Sequence, residues 1–313
     1  MQVHYSIDNL PHFKNTVVTV GTFDGVHLGH RQIIKQLKEE ATKVKGETVI
    51  ITFHPHPRTI VGKKSIQLLN SLNEKIFLID ALGINHLVVV PFDEAFSNQT
   101  PEAYVKNFLF EKFNPHTIII GYDHKFGKHR AGNYQLLEAY GKELGFVVKE
   151  IPEKVINESV VSSTIIREAL LHGDVERANK YLGYAYFFEG LVVDGNKLGR
   201  TLGYPTANIV INDEMKLVPA NGIYVAEAEL PNQHSPRMQG MMSIGVRPTI
   251  DGQNRTIEMN IFNFEKDIYG ETIKIFIHKF LREEEKFNSL EELVAQMKID
   301  KLNSQNFFIE SNG

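Results

Sequence analysis

From Thr16 onward, short runs of β-branched and aliphatic residues alternate with longer stretches whose apolar residues recur every three or four positions. The strand-like runs are Thr16 to Val20, Thr48 to Phe53, His86 to Pro91, Thr117 to Gly121 and Phe146 to Ile151. Between them lie helical patterns such as Arg31 to Val44, where Ile33, Ile34, Leu37 and Ala41 keep one apolar face. Strands separated by helices of this length predict βαβ units, hence a parallel sheet whose ligands bind beyond the carboxyl ends of the strands. This rhythm holds through residue 182 and reads as a doubly wound α/β domain.

After Tyr181 the pattern changes. Phe187 to Val193, Gly222 to Leu230, Gln239 to Gly245, Thr256 to Phe264 and Thr272 to Phe280 follow one another with Gly, Pro, Asn or Asp between them. Only Ser289 to Lys298 has helical spacing, with Leu290, Leu293, Val294 and Met297 on one side. Successive short strands of this kind predict a small antiparallel β-barrel closed by a terminal helix. The expected division is 1–182 for the α/β domain and 183–313 for the barrel domain.

Composition narrows the functions open to such a chain. With 313 residues, 42% hydrophobic and 23% charged, it has material for about two domains. A formal net charge of -4 argues against bulk attraction to nucleic acid, so any phosphate binding must be local. The absence of cysteine excludes disulfide frameworks, thiolate metal sites and cysteine nucleophiles, and suits a reducing cytoplasm. The first residues, MQVHYSIDNLPHFKN, lack the basic start and apolar core of a secretory signal, and no apolar run reaches the roughly 18 residues that span a bilayer. A cytoplasmic protein with neither a membrane nor a nucleic-acid partner is expected.

The densest chemistry follows the first long strand: Gly21-Thr22-Phe23-Asp24-Gly25-Val26-His27-Leu28-Gly29-His30 runs directly into the first long helix. Gly21, Gly25 and Gly29 let backbone approach a ligand closely, and the helix start offers unpaired N–H groups and the positive end of a dipole. His27 and His30 are spaced so that both face that spot, where two imidazoles can stabilise charge on a nucleotide α-phosphate. The alternatives are a chance pair of histidines at a helix start, or half of a zinc site completed by His54 and His56. The prolines around that second pair make it a stiff loop at a strand end.

Ser162 to Leu170 reads as a serine-capped helix that stops near Gly173. Arg167 in its first turn opposes the helix dipole, a cost that a bound anion such as a leaving pyrophosphate would offset; plain capping is the alternative. Gly121 to Gly127, with Lys128, His129 and Arg130 after it, is a basic loop that either closes over a substrate or is simply solvated.

In this order, the GTFDGVHLGH, TFHPHP, GYDHKFG and SSTIIR runs resemble the adenylyltransferase module of the bacterial bifunctional riboflavin kinase/FAD synthetases. The H-x-G-H element alone would indicate only the wider nucleotidylyltransferase superfamily. The resemblance implies a Rossmann-like H-x-G-H domain in which His27 and His30 contact the ATP phosphates beside Gly21, Phe23, Asp24, Gly25 and Gly29. It also implies that Ser163, Thr164 and Arg167 hold the ATP tail and that Asp123 and His56 lie by the flavin. His124 stands where that family usually has an aromatic residue.

In the second half, Gly190 to Arg200 leads from a strand into a loop with flexible glycines and continues as Thr201 to Asn208. No G-x-x-x-x-G-K-[ST] occurs in the chain, so a kinase on this barrel must neutralise phosphate with its own loops and a magnesium ion. The Thr206 hydroxyl and the Asn208 amide are oxygen ligands of the kind Mg²⁺ accepts. A glycine-rich turn between two strands is the alternative. Alternation places Glu258, Asn260 and Phe262 on one strand face, which for an acid is most often just the solvent face.

The GRTLGYPTAN run, Gly222-Ile223-Tyr224, Ile244 to Thr249 and Leu281 to Phe287 are similar to the riboflavin kinase signatures. By that likeness Gly195, Lys197, Gly199 and Arg200 contact ATP, Thr206 and Asn208 hold Mg²⁺, Arg282 lies by riboflavin, and Glu258 takes the proton of the ribityl 5′-hydroxyl. Asn260 stands where a histidine or tyrosine is often found. The expected enzyme converts riboflavin and ATP to FMN and ADP, then FMN and ATP to FAD and pyrophosphate, each step with Mg²⁺. Three readings compete: a chain with one live activity, a flavin-responsive nucleic-acid regulator on an enzyme-like fold, and a nucleotidylyltransferase for a non-flavin substrate.

Overall fold

A computed structural model describes residues 1–62, 66–122, 124–151, 161–195, 198–231, 236–249 and 252–311. The chain divides into two compact units, Met1–Ser163 and Thr164–Gly313.

The first unit is built on a sheet of β1 (Gln2–His4), β2 (Val17–Val20), β3 (Thr48–His54), β4 (His86–Pro91), β5 (Thr117–Gly121) and β6 (Val147–Ile151). All neighbours are parallel, in the order β1-β4-β3-β2-β5-β6. Every residue of β2, and all of β3 except its last, is buried, because both faces of the sheet are covered. That burial is why these strands read as unbroken apolar runs. The chain proceeds outward from β2 through β3 to β4 and then returns to β5 on the other side of β2. The sheet's switch point therefore lies between β2 and β5, where an open α/β sheet leaves a crevice for ligands. Gly21 follows β2 and Gly121 ends β5, so the glycine loop and the basic loop both leave the sheet there. The first long helix, Leu28–Val44, buries the expected Ile34, Leu37 and Ala41.

The second unit takes helix Ser163–Leu171 from Thr164 onward, helix Val175–Leu182, a closed barrel and the terminal helix Leu290–Ser311. The barrel strands are β7 (Tyr186–Val193), β8 (Ala207–Val210), β9 (Gly222–Glu229), β10 (Met238–Thr249), β11 (Gly252–Ile261) and β12 (Thr272–Arg282). They close in the order β10-β11-β8-β7-β12-β9 with every pairing antiparallel. Packing thus divides the chain at residue 163, whereas the sequence rhythm divides it at residue 182. The two intervening helices bury Ile166, Leu170, Val175, Ala178 and Leu182. Asn179 ties them to the barrel: its Nδ2 donates to Ile277 O at 2.8 Å and its Oδ1 accepts from Tyr186 N at 2.7 Å.

Candidate active sites

In the first unit, the glycine loop turns through left-handed backbone at Phe23, Gly25 and Val26, with φ of 48°, 87° and 37°. The non-glycine residues there are strained, and strain of this kind gathers at functional sites. The Phe23 ring is fully buried, lies against Gly21 closely enough that a Cβ there would approach it at 3.1 Å, and meets the His30 ring at 5.1 Å. The loop delivers His27 as the helix N-cap, its Nδ1 accepting the His30 N–H at 3.4 Å. In a neutral ring that bond leaves the proton on Nε2. The rings of His27 and His30 stack at 3.7 Å and 20°, so the structure does bring the pair together. His30 is driven well below the usual histidine range by burial first, then by His27 and Lys75, and is neutral at physiological pH.

Asp24 is buried, and its carboxylate accepts the backbone N–H of Leu69 at 2.9 Å and of Asn70 at 3.4 Å. Its carbonyl accepts the Ser163 hydroxyl at 2.9 Å, a bond within the first unit. Gly29 is buried within the first turn of its helix. Thr164 is exposed and Arg167 half-buried on helix Ser163–Leu171.

A cavity of about 610 Å³ opens at the switch point. Gly21 and Thr22 line it from the glycine loop, Phe53, Phe92, Phe96 and Tyr104 form an aromatic side, and Arg58, Lys125, Lys128 and Arg130 supply cations. His124 lines it too, while Asp123 lies outside the described residues. His129 and Arg130 are successive non-glycine residues at φ of 56° and 58°, a costly backbone shape for a loop that lines this cavity while the side chains of Lys125, Lys128, His129 and Arg130 stay exposed. His56 is buried and caps the single helical turn Pro57–Val61 by accepting the Arg58 N–H at 3.2 Å; its neighbours Pro57 and Arg58 line the cavity. His54 is exposed, and no cluster of three or more metal-ligating side chains occurs among the described residues.

In the second unit, Glu258 on β11 is opposite Asn208 on β8, and the Thr206 hydroxyl donates to Glu258 Oε2 at 3.1 Å. The acid face of β11 is therefore not a solvent face: Glu258 is half-buried and Asn260 is 6% exposed. Asn260 Nδ2 donates to Pro205 O at 2.7 Å and so pins the segment that carries Thr206. Two cavities meet at Thr206. One, of about 480 Å³, is lined by Arg200, Thr206, Met259 and residues 264–269; the other, of about 380 Å³, by Thr206, Glu258, Asn260, Met241, Leu293 and Met297 among others.

The glycines here serve the loop's own packing. A Cβ on Gly195 would fall 2.1 Å from the Asn208 amide, and one on Gly199 would fall 2.3 Å from Tyr204 O. Lys197 lies outside the described residues. Arg282 lines the second cavity, yet its guanidinium is committed to buried Asp300, with Nε to Oδ1 at 3.0 Å and Nη2 to Oδ2 at 2.8 Å.

Residues 10–165 match the family model described as FAD synthetase, and residues 182–308 match that described as riboflavin kinase. A protein of Listeria monocytogenes named bifunctional riboflavin kinase/FMN adenylyltransferase is 37% identical over 297 residues, covering 94% of this chain and 93% of its own. The chain belongs to the bifunctional riboflavin kinase/FMN adenylyltransferase family. A Bacillus subtilis relative of the same name is 36% identical over 94% of this chain and 92% of its own. A solved structure from Streptococcus pneumoniae, described as a macrolide-efflux protein, aligns over 97% of this chain and 98% of its own with a TM-score of 0.85 and 30% identity. No helix among the described residues is long and apolar enough to cross a membrane.

Within this family member, sequence reasoning passed over the aromatic side of the first cavity and the methionines of the second. Phe92 and Phe96 sit in a loop and a helical turn after β4, where nothing in the pattern sets them apart from core residues. Met241 falls in a strand that reads as ordinary barrel wall.

Proposed function

We propose that the two activities of the family are divided in this chain between the histidine pair of the first unit and the Thr206–Glu258 pair of the second. The observation that carries the kinase assignment is that Thr206 lines both barrel cavities while its hydroxyl bonds the Glu258 carboxylate. The larger, more polar cavity takes the nucleotide. The smaller one, walled by Met241, Leu293 and Met297, takes the apolar flavin ring. The ribityl 5′-hydroxyl then attacks the γ-phosphorus, Glu258 takes its proton, and the bond to ADP breaks.

The Thr206 hydroxyl and the Asn208 amide, beside the Glu258 carboxylate, offer hard oxygen donors that fit Mg²⁺. Such an ion would neutralise charge on the phosphates. The protein's own part is to hold the base against Thr206 and to fix that segment through Asn260.

In the first unit, FMN fits the cavity that combines an aromatic side with a cationic rim, its phosphate toward Lys125, Lys128 and Arg130. An FMN phosphate oxygen attacks the α-phosphorus of ATP and pyrophosphate leaves. His27 and the neutral imidazole of His30 donate hydrogen bonds to the oxygens where charge builds. Arg167 is assigned the leaving pyrophosphate on the ground of its charge. Such an enzyme works where ATP is made, and a cytoplasmic location is part of the proposal.

The test is an incubation of the full chain with riboflavin, ATP and Mg²⁺, the flavins being separated over time. FMN should appear first and FAD follow. His27→Ala should stop the reaction at FMN, with FAD formation down about a hundredfold or more, while Glu258→Gln should block FMN formation and leave FMN-to-FAD conversion intact. FAD formation at the wild-type rate in the His27 variant would refute the first assignment, and unchanged phosphorylation in the Glu258 variant the second.

A further inference from the structure

Behind the histidine pair, the first unit buries a lysine. Lys75 is 6% exposed in helix Leu72–Asp80, and the one hydrogen bond of its ammonium among the described residues is to Thr52 Oγ1 at 3.5 Å, the outer limit of such a bond. The helix start is already satisfied by a capping box between Ser71 and Glu74, and the helix dipole does not favour a cation near this end. Burial drives its ammonium down to about 8, and the nearby Asp24 charge opposes this without cancelling it. Much of that carboxylate's capacity is spent on the backbone N–H groups of Leu69 and Asn70.

Two independent features point to a missing polar partner. Asn70 is 1% exposed, and neither end of its amide has a hydrogen-bond partner among the described residues. His30 Nδ1 is buried in the same condition. Buried polar atoms are satisfied in the great majority of cases, so orphan atoms on Asn70, whose N–H bonds the same Asp24 that attracts Lys75, and on His30, which feels the lysine's charge, favour a place that a ligand completes. The connections are local: Asp24 holds Asn70 and attracts Lys75, and His30 feels the lysine's charge. Thr52, near the carboxyl end of β3, donates its hydroxyl to Thr22 O of the glycine loop, which places this cluster against the loop that would hold phosphate.

We propose that Lys75 is a positioning residue for adenylyl transfer, a buried cation incompletely matched by the protein's own carboxylates that draws the nucleotide phosphates against His27 and His30. The inference rests on the assignment of that histidine pair to ATP. Without nucleotide the ammonium and the orphan atoms are a cost to the fold; the triphosphate supplies the negative charge that relieves it. Because the His30 imidazole stays neutral, the lysine provides the attraction while the histidine pair provides directed N–H donors.

The experiment measures kcat/KM for ATP in FMN-to-FAD conversion by the full chain between about pH 7 and about pH 10, in wild type, Lys75→Met and Lys75→Arg. Riboflavin phosphorylation by the same preparations checks that each variant is folded. Lys75→Met should lower kcat/KM for ATP about ten- to a hundredfold near neutral pH, mostly through KM, with phosphorylation unchanged. The wild-type value should fall as pH rises through about 8, where the free enzyme loses the lysine proton. That limb should be missing in Lys75→Met, and Lys75→Arg should hold its activity across it. A Lys75→Met enzyme within about twofold of wild type, or one with the same alkaline limb, overturns the inference. Should Lys75→Met also lose the kinase, the wild type decides alone, and a flat profile through about pH 8 overturns it. Wild type that makes no FAD from FMN at any pH would instead count against the adenylyl reading itself.

Discussion

A neutral imidazole donates a hydrogen bond without bringing a charge, and burial holds His30 in that form. The same burial has a thermodynamic consequence. In the unfolded chain the ring titrates at its ordinary 6.5, whereas in the folded protein it does so well below. Between those two values the unfolded state binds more protons, so the stability associated with His30 is complete above about 6.5 and is lost as pH falls below it. Melting temperature should therefore drop on acidification from about pH 7 to about pH 5.5, and His30→Asn should flatten that drop. Equal slopes for the variant and the wild type would show that other groups carry it. That the pair comes together was legible in the sequence, because histidines three apart at a helix start face the same spot. Lys75 was not: a lysine in a helix is ordinarily solvated, and only the fold shows it packed behind the glycine loop.

Among the elements, the terminal helix shows how pairing can hide a pattern. The apolar positions predict Ser289 to Lys298, but the helix runs from Leu290 to Ser311. Its second half buries Asp300, Ser304 and Phe308 and leaves Ile299, Leu302 and Ile309 exposed, so hydrophobicity alone gives the wrong face. What makes Asp300 an interior residue is Arg282, whose Nε and Nη2 fork onto it while Gln296 Nε2 adds a bond at 3.0 Å. β8 was missed for another reason, since the strand Ala207–Val210 is too short for alternation to register. Asp300→Ala should cost about 3 kcal/mol or more, because it strands a largely buried guanidinium. It should also raise KM for riboflavin, since Leu293 and Met297 of the same helix wall the cavity beside Glu258. Thermal melts and kinase kinetics check both, and an unchanged melt would mean that the Arg282 pair contributes little.

At the scale of the whole molecule, the chain offers two places to divide it. The riboflavin kinase family model begins at residue 182, close to where the strand rhythm begins, whereas the compact unit begins at Thr164. The stretch between them is helical, and in the sequence it resembles the helices before it more than the strands after it. Its packing says otherwise. Asn179 joins Ile277 O to Tyr186 N, Ala220 N donates to Leu170 O at 2.9 Å, and Gly173 lies against the Phe280 ring so closely that a Cβ would approach it at 3.3 Å. Helix Val175–Leu182 also covers β12 and β7 with buried Val175, Ala178 and Leu182. Removing it would expose that apolar surface and leave backbone groups on two barrel strands without their partner. A fragment of residues 164–313 should therefore phosphorylate riboflavin about as fast as the full chain. One of residues 183–313 should melt at least about 5 °C lower, or fail to fold. If the two fragments melt together, the helices add nothing to the barrel and the boundary belongs where the rhythm changes; if only the longer one is stable, the kinase unit includes a helical pair that its strand pattern does not announce.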